Sequence, residues 1–428
     1  RKQFEDDQSF FSKNMSLISI TGSLQDNVLP ADYAAVQDLI PLKNGFTSYT
    51  TTIPGVWTPI DHLAIVWCKQ LRLVVSRLIL EMTDATVPSK TRSLEERINI
   101  SQKLLLSGFE DFYNHDSLLE NEHNVQIISA ESDPTNPTNS EQFHIIPSDK
   151  PLIISNNDQF HDPQKPFVFY IPKNLDSKFD FSLLTSGNKP QIKLCKELTE
   201  LACILIEDDS QTIPRSTLLT TYPADSSLED EMEPFIYQHF EHNYLIKYDL
   251  IIIDMNAKIP LGNEDFIYAA FGKVSETKEI NVSQWHTLLY GIHKTVKSES
   301  TLTMVDLEYL QQSDALLSYN MKIHSTIDNH EDLLFQPMVR QWIPRPSETK
   351  WFVNILVHNN LEINMHNVAP FIPVNIKESH SLHLDLILPP SSSVKLDVTI
   401  NWPLTFKMLF IRYRLAIGSI TIFFVALV

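Results

Sequence analysis

The sequence is poor in glycine, in cysteine and in positive charge. Of its 428 residues only 9 are glycine and 3 are cysteine, and 53 acidic residues outnumber 34 Lys and Arg, for a formal net charge of -19. Three cysteines are too few for a disulfide-dense scaffold. A strongly acidic surface repels phosphate backbones, so nucleic acid is not an expected partner.

Several chemical motifs are also missing. No glycine is followed two residues later by serine, so the chain contains no Gly-x-Ser-x-Gly nucleophile elbow. There is no glycine-rich loop that would cradle a phosphate. His239 and His242 have the spacing of metal ligands on a helix, but no further ligand pattern completes a tetrahedral site. The sequence therefore predicts neither a metal nor a cofactor.

The cysteines and the glycosylation sequons bear on the cellular compartment. Cys195 and Cys203 could bridge the base of a hairpin, although two buried free thiols are the simpler expectation, and Cys68 is expected to be buried on a helix. N-glycosylation sequons begin at three asparagines, which permits a secretory-pathway location without establishing one. These residues are Asn14, Asn99 and Asn281.

Residues 1–112 show the pattern of α/β structure. The apolar run 15–21 and the Thr-, Tyr- and Phe-rich run 46–53 predict two buried strands. Pro30–Ile40 predicts a short helix between them.

Two longer helices are predicted after the second strand. Apolar residues recur at helical spacing from about residue 60 to residue 82. The segment 94–112 is the second helix, with Ser93 as its N-cap and Glu96 completing a capping box.

The rest of the chain changes character twice. Residues 113–150 are polar, acidic and rich in proline, which indicates a linker or an exposed loop. Residues 151–403 contain about a dozen short strand patterns, which predict a β-sandwich or jelly roll. Residues 404–428 end in an uncharged apolar run, Leu415–Val428, which we interpret as the start of a transmembrane helix.

Asp26 and His62 form the strongest candidate for chemistry. Asp26 follows the first predicted strand across a glycine turn, and His62 follows the second. In α/β-hydrolases the acid and the base of the catalytic triad occupy loops after successive late strands, in the chain order serine, acid, histidine. The spacing of 36 residues accommodates the required connection and strand.

A purely structural interpretation of both residues stays open at this stage. Asp26 is equally explained as a helix N-cap or turn residue, and His62 as the first residue of a helix. Asp61 is a competing partner for the histidine, although adjacent side chains rarely reach each other in a productive geometry.

The sequence around these residues resembles the eukaryotic glycosylphosphatidylinositol (GPI) inositol-deacylase family. The resemblance covers SLISITGSLQDNVLPADY, the segment from NGFTSYTTTIPGVWTPIDH to LILEMTD and the helix that follows them. At the other end, KLDVTINWPLTFKMLFIRYRLAIGSI is similar to the junction between the luminal region and the membrane helices. The fold class implied is the C-terminal part of an α/β-hydrolase domain, then a β-sandwich domain and the start of a transmembrane helix.

The resemblance implies an ester hydrolase of the endoplasmic reticulum (ER) membrane with luminal domains. Its expected partners are GPI-anchored proteins with their acylated inositol lipid, and ER membrane lipids. Asp26 and His62 match the acid and base by position, and the nucleophilic serine is expected upstream of residue 1, so this chain alone is expected to be inactive. The alternative is a non-enzymatic luminal module that binds glycan or protein on a hydrolase remnant.

Overall fold

The computed structural model describes most of the chain, in segments separated by residues that are not discussed further. The described residues are 4, 9–29, 31–36, 39–87, 90–110, 125–128, 143–155, 165–173, 179–186, 189–197, 201–206, 210–215, 233–255, 265–273, 278–280, 284–298, 303–309, 317–325, 333–342, 349–353, 355–356, 360–364 and 382–427.

The N-terminal module is built on two parallel strands, β1 (Leu17–Thr21) and β2 (Gly45–Tyr49), paired from Leu17 with Gly45 to Thr21 with Tyr49. Their parallel pairing requires a crossover connection, and residues 22–44 supply it. Both strands therefore end at the same edge of the sheet, as the order of the predicted strands implied.

Helices cover this small sheet. They are α1 (Phe10–Asn14), α2 (Lys69–Met82) and α3 (Leu94–Leu105), together with 3-10 segments at Ser23–Gln25, Ala31–Ala34, Leu42–Asn44 and Ala64–Val66. The helix predicted over 30–40 is thus a single 3-10 turn, and the helix predicted from residue 60 begins at Lys69. The capping box of α3 forms as predicted, with reciprocal bonds between Ser93 and Glu96.

The core of the module lies between β2 and the two long helices. Phe46 on β2 packs with Leu71 and Leu78 of α2 and with Leu105 at the end of α3. The Ser48 hydroxyl donates to the Leu105 carbonyl at 2.7 Å, which satisfies a carbonyl that the end of the helix leaves without an intrahelical partner.

The first sandwich consists of two sheets that share one core. Its outer sheet has the order β3-β9-β8-β12-β6-β4 and its inner sheet the order β10-β11-β7-β13-β5. Alternate residues of both sheets, among them Phe169, Phe181 and Ile251, fill the space between them. The strands are β3 (Val125–Ile128), β4 (His144–Ile146), β5 (Leu152–Ser155), β6 (Phe167–Tyr170), β7 (Phe179–Ser186), β8 (Gln191–Glu197), β9 (Leu201–Ile206), β10 (Gln211–Ile213), β11 (Phe235–Phe240), β12 (Leu250–Asp254) and β13 (Phe266–Lys273), with helix α4 (His242–Leu245) before β12.

The second sandwich has the same construction. Its inner sheet has the order β14-β16-β21-β18-β19 and its outer sheet the order β15-β22-β17-β20. Met321, Leu386 and Leu396 belong to its core. The strands are β14 (Lys278–Ile280), β15 (Ile292–Lys297), β16 (Thr303–Tyr309), β17 (Tyr319–Ser325), β18 (Met338–Trp342), β19 (Lys350–Phe352), β20 (Asn360–Ile363), β21 (Leu382–Leu388) and β22 (Ser393–Ile400), with helix α5 (Gln284–Tyr290) before β15.

The all-β region therefore differs from the single sandwich over 151–403 that the sequence predicts. Two sandwiches occupy it, and the first begins with β3 and β4, inside the range predicted as a linker. Short strands with turn signals look the same whether they belong to one core or two, because only long-range pairing assigns a strand to its sheet.

Cys195 and Cys203 form a disulfide, which corrects the expectation of two free thiols. They lie directly opposite each other on the antiparallel strands β8 and β9. Direct cross-strand register brings the two Cβ atoms within bonding range of a disulfide. Cys68 is a free, half-buried thiol at the N-cap of α2.

Helix α6 (Trp402–Leu427) follows β22 and covers the segment predicted to enter a membrane. Its start is fixed to the second sandwich, because the Asn401 amide donates to the Ser318 carbonyl and Thr405 accepts from the Ser318 amide. Among the helices of the described residues, none has both the length and the apolar character needed to span a bilayer. The transmembrane assignment of 404–428 stays a prediction.

Candidate active site

The acid of the candidate site is presented by a short turn after β1. The chain leaves the strand at Thr21, makes a 3-10 turn over Ser23–Gln25 and reaches Asp26, which is only 4% exposed. One carboxylate oxygen, Oδ1, accepts the backbone N–H groups of Val28 at 3.0 Å and Leu29 at 2.7 Å. These two bonds fix the carboxylate and leave its other oxygen, Oδ2, for a different partner.

That partner is His62. Its Nδ1 lies 2.8 Å from Asp26 Oδ2. An ionised carboxylate only accepts hydrogen bonds, so Nδ1 carries the proton and Nε2 of the neutral ring is left as an acceptor. The histidine side chain is 37% exposed, against 6% for the aspartate. A buried acid thus orients a ring that solvent and ligands can reach.

Asp61 has a different task. Its Oδ1 accepts the Leu63 amide at 2.9 Å, which stabilises the turn ahead of the 3-10 segment Ala64–Val66. The structure therefore pairs His62 with Asp26 and directs the neighbouring carboxylate to the backbone. His62 itself lies in this turn, ahead of α2, and does not begin a helix as the sequence predicted.

The sequence left Asp26 open as a turn residue or as the partner of His62, and the structure shows one kind of bond at each carboxylate oxygen. Oδ1 makes the local turn bonds expected of an Asp at a turn. Oδ2 makes the long-range bond to His62, 36 residues away. One carboxylate therefore makes both sets of bonds, and the turn bonds orient it toward His62.

Gly22 allows the acid turn and the base loop to meet. The Ile60 amide donates to the Gly22 carbonyl at 2.7 Å. A Cβ atom on Gly22 would lie 2.3 Å from the Ile60 carbonyl oxygen, well inside van der Waals contact. The backbone at Gly22 is ordinary, with φ -73°, so glycine is required by the close approach of the second loop and not by its own conformation.

Two buried hydroxyls that sequence reasoning missed lie in the loops that carry the pair. Ser23 Oγ and Thr51 Oγ1 are 3.3 Å apart and both residues are buried. Thr51 also donates to the Thr349 carbonyl of the second sandwich at 2.7 Å. The run Thr50–Thr52 resembled the end of a strand, although β2 already ends at Tyr49. The sequence TTTIPG did contain a signal, because its Pro-Gly pair marks a turn and so indicates that the strand ends before it.

Apolar side chains close in sequence to both members of the pair are exposed. They are Val28, Leu29, Leu63, Val66 and Trp67. Exposed apolar side chains near a site are typical of a surface that contacts an apolar ligand or another protein segment. The loop of the acid and the loop of the base thus both expose apolar side chains.

A second Ser, His and Asp grouping lies on the first sandwich, where His239 pairs with Ser182 across β11 and β7. His239 Nδ1 is 3.2 Å from Ser182 Oγ, and Nε2 is 3.5 Å from Asp180 Oδ2. Asp180 Oδ1 instead caps α4 by accepting the His242 amide at 2.9 Å. The acid contact is too long to orient the ring firmly, so this grouping lacks the pairing found at His62.

The remaining sequence candidates are placed as follows. His239 lies on a strand and not on a helix, and within the described segments no group of three or more His, Cys, Asp and Glu could hold a metal. Asn14 and Asn99 are exposed, at the end of α1 and within α3. Asn281 falls outside the described residues.

Comparison with known proteins agrees with the architecture. The family model of a PGAP1-like alpha/beta domain matches residues 1–82, and that of a GPI inositol-deacylase beta-sandwich domain matches residues 135–271. The second match begins within the range predicted as a linker and ends in β13, so it covers the first sandwich from β4 onward.

Curated relatives match along nearly the whole chain. A GPI inositol-deacylase of Kluyveromyces lactis is 35% identical over 98% of this chain and 41% of its own length. One of Eremothecium gossypii is 35% identical over 99% and 41%, and one of Debaryomyces hansenii is 32% identical over 97% and 43%. The chain thus spans about two fifths of the length of these relatives.

Proposed function

The chain belongs to the GPI inositol-deacylase family, and we propose that it contributes the acid and the base of a serine-type ester hydrolase acting on the acylated inositol of GPI-anchored proteins. The observation that carries the proposal is the 2.8 Å bond between His62 Nδ1 and Asp26 Oδ2 at the common edge of two adjacent parallel strands. This is the topology in which α/β-hydrolases place these two groups.

In the proposed chemistry, Nε2 of His62 transfers the proton and Nδ1 keeps the hydrogen bond to Asp26. Nε2 takes the proton of a serine hydroxyl as its oxygen attacks the acyl carbonyl, and then returns that proton to the departing inositol oxygen. Water repeats the sequence and releases the fatty acid. Asp26 holds the ring and stabilises the imidazolium. The serine comes from a part of the full-length protein that precedes this chain in the order serine, acid, histidine.

The exposed apolar residues beside the pair fit an acyl ester as substrate. Val28 and Leu29 follow the acid, and Leu63, Val66 and Trp67 follow the base. A fatty acyl chain next to its ester carbonyl would be bound by surface of this kind.

We further propose that the protein functions in the ER membrane, with the α/β module and both sandwiches on the luminal side and α6 at the start of a membrane-spanning segment. The Cys195–Cys203 disulfide supports an oxidising compartment. Its partners would be GPI-anchored proteins and ER lipids, and deacylation would support the export and quality control of those proteins.

Substitution of His62 in the full-length protein tests the proposal. An acylated inositol blocks phosphatidylinositol-specific phospholipase C, so His62→Ala should leave GPI-anchored proteins resistant to release by this enzyme. Asp61→Asn is the matched control, because Asp61 is adjacent but bonds to the Leu63 amide. It should retain full deacylation. Phospholipase sensitivity in both His62→Ala and Asp26→Ala would contradict the proposal and favour the non-enzymatic module.

A further inference from the structure

The loop that carries His62 is buried to an unusual degree for an irregular polar segment. Thr50, Thr51 and Thr52 are each at most 3% exposed. The Thr50 amide donates to the Thr21 carbonyl and the Thr58 amide to the Thr50 carbonyl. Connecting segments normally run over the surface, so the burial of this one indicates that something is packed on it.

Trp57 of this loop belongs to an apolar cluster that both sandwiches share. The inner sheets of the two sandwiches face each other, and Trp57 and Phe109 of the α/β module are inserted into the apolar cluster between them. The cluster includes Tyr237 and Tyr268 of the first sandwich and Trp351 of the second. The indole side chain therefore places the base loop in an apolar cluster to which both β domains contribute.

Trp57 adopts a backbone conformation that a bulky residue rarely takes, with φ +50°. Such residues persist where the surrounding structure holds them, and they concentrate at functional sites. Trp57 precedes by three residues Ile60, whose amide bonds to Gly22 in the acid turn. A shift of the indole would thus move the contact between the two loops.

Thr51 makes the second connection. Its hydroxyl donates to the Thr349 carbonyl next to β19 and approaches Ser23, which lies in the acid turn with φ +69°. A single side chain thus joins the base loop, the acid turn and the second sandwich. The contact spans 298 residues of sequence, and both hydroxyls are buried from competing water.

We propose that Thr51 and Trp57 are positioning residues, through which the two sandwiches hold Asp26 and His62 in hydrogen-bonding register. The inference rests on the proposed function. The two sandwiches thus contribute to catalysis, because they hold the acid and the base in the geometry that the reaction needs. A misplacement of about 1 Å at a catalytic group can lower the rate by roughly a hundredfold, so a remote anchor has measurable kinetic consequences.

The test is a set of variants in the full-length enzyme, with deacylation kinetics normalised to the amount of folded protein. Thr51→Val removes the hydroxyl and keeps the shape, and should lower kcat about 10- to 100-fold while KM is unchanged. Thr51→Ser keeps the hydroxyl and should restore kcat. Thr349→Val is the control, because Thr349 contributes its backbone carbonyl, and it should behave as the wild type.

The outcomes separate this inference from the proposed function. Activity in His62→Ala would overturn the proposed function itself. An inactive His62→Ala together with a fully active Thr51→Val would overturn only the positioning role. A KM effect with unchanged kcat, or a loss in Thr51→Val that Thr51→Ser does not repair, would also overturn it. Trp57→Ala should show the same kcat-specific loss, but it removes a large buried side chain and can prevent folding, so the Thr51 series decides.

Discussion

Asp26→Asn is the substitution whose consequence the structure defines most sharply. Oδ1 of Asp26 accepts two backbone N–H groups, from Val28 and Leu29, and Oδ2 accepts His62 Nδ1–H. In the variant, the amide oxygen must take the Oδ1 position, because the NH₂ group placed there would face two donors. The NH₂ group then faces His62 and donates to Nδ1. The imidazole proton moves to Nε2, and the ring can no longer accept a proton from the nucleophile.

The expected magnitude follows from this change of tautomer. An Asp-to-Asn change that preserves geometry in a Ser-His-Asp triad lowers kcat by roughly 10⁴-fold, which corresponds to about 5 kcal/mol of activation free energy. The free energy of unfolding should fall by only about 1 kcal/mol, because the two turn bonds remain and one hydrogen bond changes character.

The assay compares Asp26→Asn, Asp26→Ala and Asp61→Asn in the full-length enzyme. Deacylation is followed by the release of a GPI-anchored protein with phospholipase C, and unfolding is followed by thermal denaturation. Asp26→Ala removes the turn bonds as well and should be less stable than Asp26→Asn, with similarly low activity. If Asp26→Asn kept more than about a third of the wild-type kcat, the argument that Asp26 sets the tautomer of His62 would be refuted.

Two further predictions concern stability. At φ -73° a Gly→Ala change usually stabilises by about 0.4–1 kcal/mol, but Gly22→Ala would place Cβ 2.3 Å from the Ile60 carbonyl oxygen, so we expect a loss of about 1–3 kcal/mol in thermal denaturation. A neutral or stabilised Gly22→Ala would show that the acid turn and the base loop are not in contact. Replacing Cys195 and Cys203 together with alanine opens a loop with a separation of 8 residues and should lower the free energy of unfolding by about 2–3 kcal/mol. An unchanged melting temperature in the double variant, under conditions that oxidise the wild type, would contradict the disulfide.

The pairing of Asp26 with His62 could be predicted from the sequence because it depends on local order along the chain. Each follows a predicted strand, and two strands joined by a crossover are parallel, so both residues reach one edge of the sheet. Only β2 is fully buried as predicted, because Leu17 of β1 is exposed and the next three residues of β1 are half-buried. The N-cap of α3 was predictable for the same reason, since Ser93 and Glu96 lie within one turn of helix. Interactions of this kind can be predicted because the residues that make them lie close together or in a fixed order along the chain.

The division into two sandwiches could not be predicted in this way. Strand β21 alternates Leu382, Leu384 and Leu386 with His383 and Asp385, a pattern that normally means one buried and one solvated face. Every residue of β21 is nevertheless buried. The reason is non-local, because Asp385 pairs with Arg340, 45 residues away, at 3.0 Å. Arg340 also donates to the Phe109 carbonyl of the α/β module.

The same reasoning explains why Trp57 and Thr51 escaped notice. Their local sequence reads as a strand followed by a Pro-Gly turn, and neither has a functional motif around it. Their importance comes from partners that the sequence places hundreds of residues away, in the cluster between the inner sheets and at Thr349. The burial of Arg340 and Asp385 on an inner sheet and the burial of Trp57 have one cause: the two inner sheets pack face to face, with Trp57 and Phe109 of the α/β module in the apolar cluster between them. The acid–base pair therefore depends on all three domains, and the all-β part of the chain should be expected to constrain its chemistry wherever this arrangement occurs.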